Sequence, residues 1–139
     1  MGKVLVIVDD ISDVLVPLGK LFKTQGYEVH TFLNPLAALH FIRNNPADVV
    51  LSDYRMPQMD GVTFARVLRN IGWTGSLFFM SGYIAELNQQ ELMGLGINGI
   101  LEKPFNAVEL IEFVTRTLQE EAEALLRSPA SGMPNTLQS

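Results

Sequence analysis

The 139-residue chain has no cysteine, which removes disulfides, thiolate metal sites and thiol nucleophiles at one stroke. It has no apolar run near the roughly 18 residues needed to cross a bilayer. The opening MGKVLVIVDD sets two acids directly after its apolar run, where a secretory signal would carry polar and small residues. Its sixth residue is Val6, not the Ser or Thr of a myristoylation signal. A cytoplasmic location is the expectation. Basic residues are few as well: 10 against 15 acidic, for a net charge of -5, with no basic cluster. Direct nucleic-acid binding needs a cationic footprint and is not expected.

What the chain does have is apolar material in a regular order. Hydrophobic residues make up 47% and charged residues 18%, the balance of one compact domain with a core of its own. KVLVIV (3–8), DVVLS (48–52), SLFFM (76–80) and GILE (99–102) are short apolar runs of strand length, and YEVHTF (27–32) alternates like an edge strand. Helical spacing fills the intervals at about 13–25, 35–44, 61–70, 84–95 and 106–127. Five strands alternating with five helices predict an α/β fold, a parallel sheet covered on both faces. Asn34-Pro35 reads as an N-cap followed by proline at the first helical position, and Asn106 with Glu109 as a capping box. Phe105 and Leu110 have the spacing of a hydrophobic staple, and Gly26 suits a left-handed helix stop. Pro17 falls inside the first helix and predicts a kink there or a late start. The domain is expected over 1–127, with SPASGMPNTLQS after it a flexible tail over 128–139.

Ligands of open α/β sheets bind beyond the carboxyl ends of the strands. Strand one runs into Asp9 and Asp10, and strand three into Asp53 within VVLSDYRMPQMDG (49–61). With the flavodoxin-like order 2-1-3-4-5 these three carboxylates converge, and Ser81 and Lys103 end strands four and five on the same edge. Three carboxylates side by side repel unless a cation intervenes. Oxygen donors with no cysteine and no nearby histidine point to Mg²⁺, with Mn²⁺ the relative that would substitute. Three aspartates and one lysine carry -2, which one divalent ion neutralises. Such a pocket is arranged to receive a phosphoryl group, with Asp53 as nucleophile, Lys103 offsetting charge and Ser81 donating a hydrogen bond.

VLVIVDD (4–10), VVLSDYRMPQMDG (49–61), FFMSGY (78–83) and EKPF (102–105) together make the chain resemble the receiver domain of two-component response regulators, over about residues 3–120. The resemblance implies a doubly wound (βα)5 fold, Asp53 as phosphoacceptor, and Mg²⁺ bound by Asp9, Asp10, Asp53 and the backbone carbonyl of Arg55. It implies Ser81 as the switch hydroxyl and Lys103 as the phosphoryl partner, ahead of a cis peptide to Pro104. A sensor histidine kinase or a histidine phosphotransfer protein would be the donor. The receiver would catalyse only its own phosphorylation and dephosphorylation, and act on a downstream protein through its 84–113 surface. Two departures stand out. Ile11 takes a position where many receivers have a third acid, and Ile100 replaces the usual Tyr or Phe of the read-out. Arg55 and Tyr83 occupy the variable rim and, being bulky, would slow water access and lengthen the life of the phosphate.

Other motifs carry less. GLGING (94–99) matches a dinucleotide fingerprint, but it closes a helix and leads into a strand, the reverse of what that motif requires. His30 and His40 have no ligand-like partners in the pattern, and Trp73 between glycines reads as a packing anchor. QEEAEALLR (119–127) reads as a solvated extension of the last helix, with a homodimer or interdomain contact as its other use. The competing function is a phosphate-independent interaction module of the same fold. A stand-alone receiver and one cut from a longer chain read alike.

Overall fold

The structure is a computed structural model and describes residues 2–127, the side chain of Glu86 excepted. Five strands, β1 (Val4–Val8), β2 (Glu28–Phe32), β3 (Val49–Asp53), β4 (Ser76–Ser81) and β5 (Gly99–Glu102), alternate with helices α1 (Ser12–Thr24), α2 (Pro35–Asn44), α3 (Gly61–Asn70), α4 (Gln89–Gly94) and α5 (Ala107–Arg127). All strand pairs are parallel, in the order β2-β1-β3-β4-β5. This is the expected doubly wound sheet, with YEVHTF at its edge.

Strand alternation divides the core in two. Leu5, Ile7, Val49, Leu51, Phe78 and Met80 point to a layer completed by α1 and α5. Their neighbours Val6, Val8, Val50, Leu77 and Phe79 point to a layer completed by α2, α3 and α4. The central strands are buried on both faces, which is why β1, β3 and β4 read as continuous apolar runs.

The helix ends follow their side chains. Asn34 Oδ1 accepts from the Leu36 N–H at 2.7 Å and Asp60 Oδ1 from Thr63 at 2.8 Å. Asn106 and Glu109 form the reciprocal box, at 2.7 and 3.3 Å. Gly26 has φ +96°, as its place after α1 requires. α1 starts at Ser12 and runs through Pro17, so the late start does not occur. Pro17 and Asp13 are both exposed, so water can serve the Asp13 carbonyl that Pro17 leaves without a helical donor.

The stretch 84–95 is not one helix. A single 3-10 turn, Ile84–Glu86, precedes an extended Leu87, and α4 begins only after Asn88. The Asn88 side chain accepts from the Glu91 N–H at 3.1 Å and restarts the helix there. GLGING does close α4 and enter β5, with Gly96 at φ +72°.

At the amino-terminal edge of the sheet, Arg69 ties two loops together. Its Nε donates to Leu95 O at 2.8 Å, its Nη2 to Gly96 O at 3.0 Å, and its Nη1 to Trp73 O and Gly75 O at 3.1 and 3.0 Å. The guanidinium also lies 5.1 Å from the Trp73 ring centroid, and Trp73 Nε1 donates to Ala47 O at 2.9 Å. Trp73 is thus the anchor its setting predicts. Along α5, Glu121 accepts from the Asn98 amide and from Ser76 Oγ, so the helix extension is tied to the starts of β4 and β5 rather than solvated throughout. Among the described residues no helix is long and apolar enough to cross a membrane.

Candidate functional site

Asp9 and Asp53 continue the rows that begin at Leu5 and Val49, so both carboxylates emerge on one side of the sheet's carboxyl edge. Carboxylate oxygens of Asp9, Asp10 and Asp53 all lie within 4.8 Å of one another. Lys103 Nζ stands between two of them, 3.0 Å from Asp53 Oδ1 and 3.6 Å from Asp9 Oδ2. Its backbone N–H donates to Ser81 O at 2.7 Å, which fixes the end of β5 against β4. The peptide to Pro104 is cis.

Ser81 is one residue past Met80, the register partner of Asp53. Its buried Oγ accepts from the Tyr83 N–H at 3.1 Å. Asp10 is exposed while Asp9 is fully buried. Asp9 Oδ1 is held by the Ile11 N–H at 2.9 Å. Asp9 Oδ2 is buried and has no hydrogen-bond partner. A buried carboxylate oxygen without a hydrogen-bond donor is costly, and here the Lys103 ammonium 3.6 Å away is shared with Asp53. The all-oxygen donor set, the orphaned oxygen and the surplus negative charge fit a hard divalent cation.

Burial pushes the Asp53 carboxyl above its ordinary value of 3.8; the Lys103 hydrogen bond and charge pull it back, and Asp9 and Asp10 push it up again. A raised folded-state value means that the folded chain holds this proton more tightly than the unfolded chain. The contribution of Asp53 to stability therefore falls as pH rises from 3.8 through its folded value, and the cost is fully present above that. In metal-free protein, Asp53→Asn is expected to raise the urea midpoint near neutral pH. The gain should shrink as pH is lowered from neutrality toward 3.8. Paired urea titrations in chelator check this, and an unchanging difference would contradict the sign.

Tyr83 is 61% exposed and Arg55 is exposed in the β3–α3 loop. Ile100 is half-buried and packs on the α2–α4 side of the core. His30 Nε2 donates to the Glu28 carboxylate at 2.8 Å and its ring lies 4.5 Å from that of Phe41, away from the acid cluster.

Two neighbours of the acids were not singled out in the sequence. The Ile11 N–H orients Asp9, a backbone role that no side-chain pattern announces. Tyr54, directly after Asp53, meets Phe79 edge-on at 5.7 Å. Burial raises its phenol pKa, as does Asp60, while a hydrogen bond from the Asn88 backbone and the charge of Arg55 lower it. An aromatic residue immediately after the strand-end acid was the available signal.

The family described as response regulator receiver domain matches residues 5–115. The chain belongs to this family. The receiver is 35% identical over 115 residues to regulatory protein AtoC of Escherichia coli, a match that takes in 83% of this chain but 25% of AtoC. It is 30% identical over 119 residues to sporulation initiation phosphotransferase F of Bacillus subtilis, covering 85% of this chain and 95% of that protein. Among solved structures, the CheY-like receiver domain protein from Methanospirillum hungatei superposes with a TM-score of 0.81 at 23% identity, over 89% of this chain and 99% of the other. That likeness concerns the fold. The chain therefore spans a quarter of one relative and nearly the whole of another.

Proposed function

We propose that this receiver is a phosphorylation switch in which Asp53 takes a phosphoryl group from a phosphohistidine and thereby changes what its 84–113 surface binds. The observation that carries the reading is the Lys103 ammonium set between Asp53 and Asp9, 3.0 and 3.6 Å away, at the edge where the three carboxylates meet. One oxygen of Asp53 attacks phosphorus, the phosphorus–nitrogen bond of the donor breaks, and its electron pair returns to the imidazole. Lys103 keeps Asp53 ionised against burial and then meets the charge of the arriving oxygens. Ser81 Oγ already accepts from Tyr83, which leaves its own proton to donate to the phosphoryl group. Attack of water on phosphorus later restores the carboxylate and releases phosphate.

Asp9, Asp10 and Asp53, with the Arg55 carbonyl, would hold Mg²⁺ or Mn²⁺, which supplies positive charge to the phosphoryl oxygens. The donor in this reading is a sensor histidine kinase or a histidine phosphotransfer protein. A relative named as a phosphotransferase that matches over nearly its full length supports it. In this reading the receiver works in the cytoplasm, as a domain over residues 1–127. It is a switch that acts chemically on itself and not on a separate substrate.

Intact mass after incubation with Mg²⁺ and acetyl phosphate tests the reading. Wild type is expected to gain one phosphoryl group, and Asp53→Asn or wild type in chelator to gain none. No adduct under conditions that phosphorylate a control receiver would sink it in favour of the phosphate-independent module.

A further inference from the structure

The residue directly after Asp53 turns its side chain away from the acids. Asp53 O accepts from Ser52 Oγ at 2.9 Å, and the Tyr54 N–H donates to Met80 O at 2.9 Å, so the peptide between Asp53 and Tyr54 is held on both sides. The Tyr54 ring packs on the α2–α4 side of the core, edge-on to Phe79. Gly61 leaves the room for it: a Cβ there would overlap the Tyr54 ring and come within 3.0 Å of Phe79 Cε1. At the far end of the ring, the phenol oxygen accepts from the backbone N–H of Asn88. Asn88 is the cap of α4, so one side chain spans from the end of β3 to the start of α4.

The start of α4 needs such a tie. The helix has six residues, too few to hold itself, and Leu92 is its one buried side chain. Its pair between Glu91 and Arg66 is exposed and contributes little. The segment before it holds only a single 3-10 turn and an extended Leu87. Elements with so few buried contacts open locally well before the fold does. Ile100, the register neighbour of Phe79 on β5, is aliphatic and can offer α4 no hydrogen bond.

We propose that Tyr54 is a latch: its hydroxyl pins Asn88 and holds the start of α4 against the phosphoacceptor strand, and loading of Asp53 pulls the adjoining 54–55 backbone and releases it. The release rests on the phosphorylation reading above; the latch itself does not. The 84–113 surface then has two forms, with α4 pinned or loosened, and the residue beside the phosphoacceptor sets their balance.

Amide hydrogen exchange of the full chain, followed by mass spectrometry, tests both halves. In unmodified protein, Tyr54→Phe removes the hydroxyl and keeps the ring. It is expected to speed exchange over 87–92 about three- to tenfold, as the loss of one hydrogen bond implies, with β1 and α5 unchanged. Gly61→Ala, which displaces the ring, should do the same, and Tyr54→Phe added to it should speed exchange no further. Wild type carrying the phosphoryl adduct should exchange over 87–92 as unmodified Tyr54→Phe does, and the adduct of Tyr54→Phe should add little. Equal exchange in unmodified wild type and Tyr54→Phe overturns the latch, and so does faster exchange in every segment, the mark of a general packing residue. A wild-type adduct with no faster exchange over 87–92 overturns the release. Absence of any adduct counts against the phosphorylation reading instead, and the unmodified proteins still decide the latch.

Discussion

Lys103→Met is expected to slow phosphorylation of Asp53 by acetyl phosphate roughly a hundredfold, in the range seen when one preorganised charge-stabilising group is removed. Methionine keeps the length of the stem, so the change removes the ammonium and little else. Two losses act in the same direction. Asp53 forfeits both the hydrogen bond and the charge that hold its carboxyl down against burial, so less of the nucleophile is ionised. The incoming oxygens lose the cation that stands 3.0 Å from the attacking carboxylate. Lys103→Arg should recover only part of the rate, because a planar guanidinium cannot take the place of a compact ammonium between Asp53 and Asp9. The measurement is the time course of the adduct by intact mass at fixed acetyl phosphate, with circular dichroism as a check on folding. A Lys103→Met rate within about threefold of wild type would remove Lys103 from the chemistry.

The convergence of these side chains was legible because it depends on few things. Strand order and alternation suffice to bring Asp9 and Asp53 to one edge, and both follow from β-branched runs separated by helical spacing. Lys103 and Ser81 needed only the same edge rule. The expectation of a hard cation at the acids rested on composition, since no sulfur and no neighbouring histidine competes. What stayed hidden was set by contacts across long separations. Leu87 and Asn88 continue a helical pattern, yet Asn88 caps a new helix and the 84–95 segment breaks in two. Glu121 reads as one more acid on a solvated face until Asn98 and Ser76 are brought beneath it by the sheet. Pro17 was a warning about helix interiors, and exposure on the first helix disarmed it.

Arg69 is the largest contribution of this hidden kind, and Arg69→Ala is expected to cost about 2–3 kcal/mol of stability. Read along the chain it is a basic residue in the last turn of a helix, where a favourable dipole contact is all that is implied. In the fold it donates to four carbonyls belonging to two loops, Trp73 and Gly75 before β4, Leu95 and Gly96 before β5. Partial burial lowers its pKa without discharging it. Removing it strands carbonyls that water reaches unevenly, and takes the cation from the Trp73 ring. Lysine is no substitute: Arg69→Lys offers one ammonium where the two loops need a fork, and should recover less than half the loss. Arg66→Ala, which breaks the more exposed pair with Glu91 one turn away, is the control and should cost no more than about 0.5 kcal/mol. Urea denaturation of the three variants decides the matter, and Arg69→Ala within about 0.5 kcal/mol of wild type would show that the clamp is not made in solution. Because the clamp lies at the edge opposite Asp53, its loss should loosen the joint between α4 and β5 while leaving the initial rate of phosphorylation within about twofold of wild type. A receiver so altered would still take the phosphoryl group, but would present a less ordered 84–113 surface to whatever reads it.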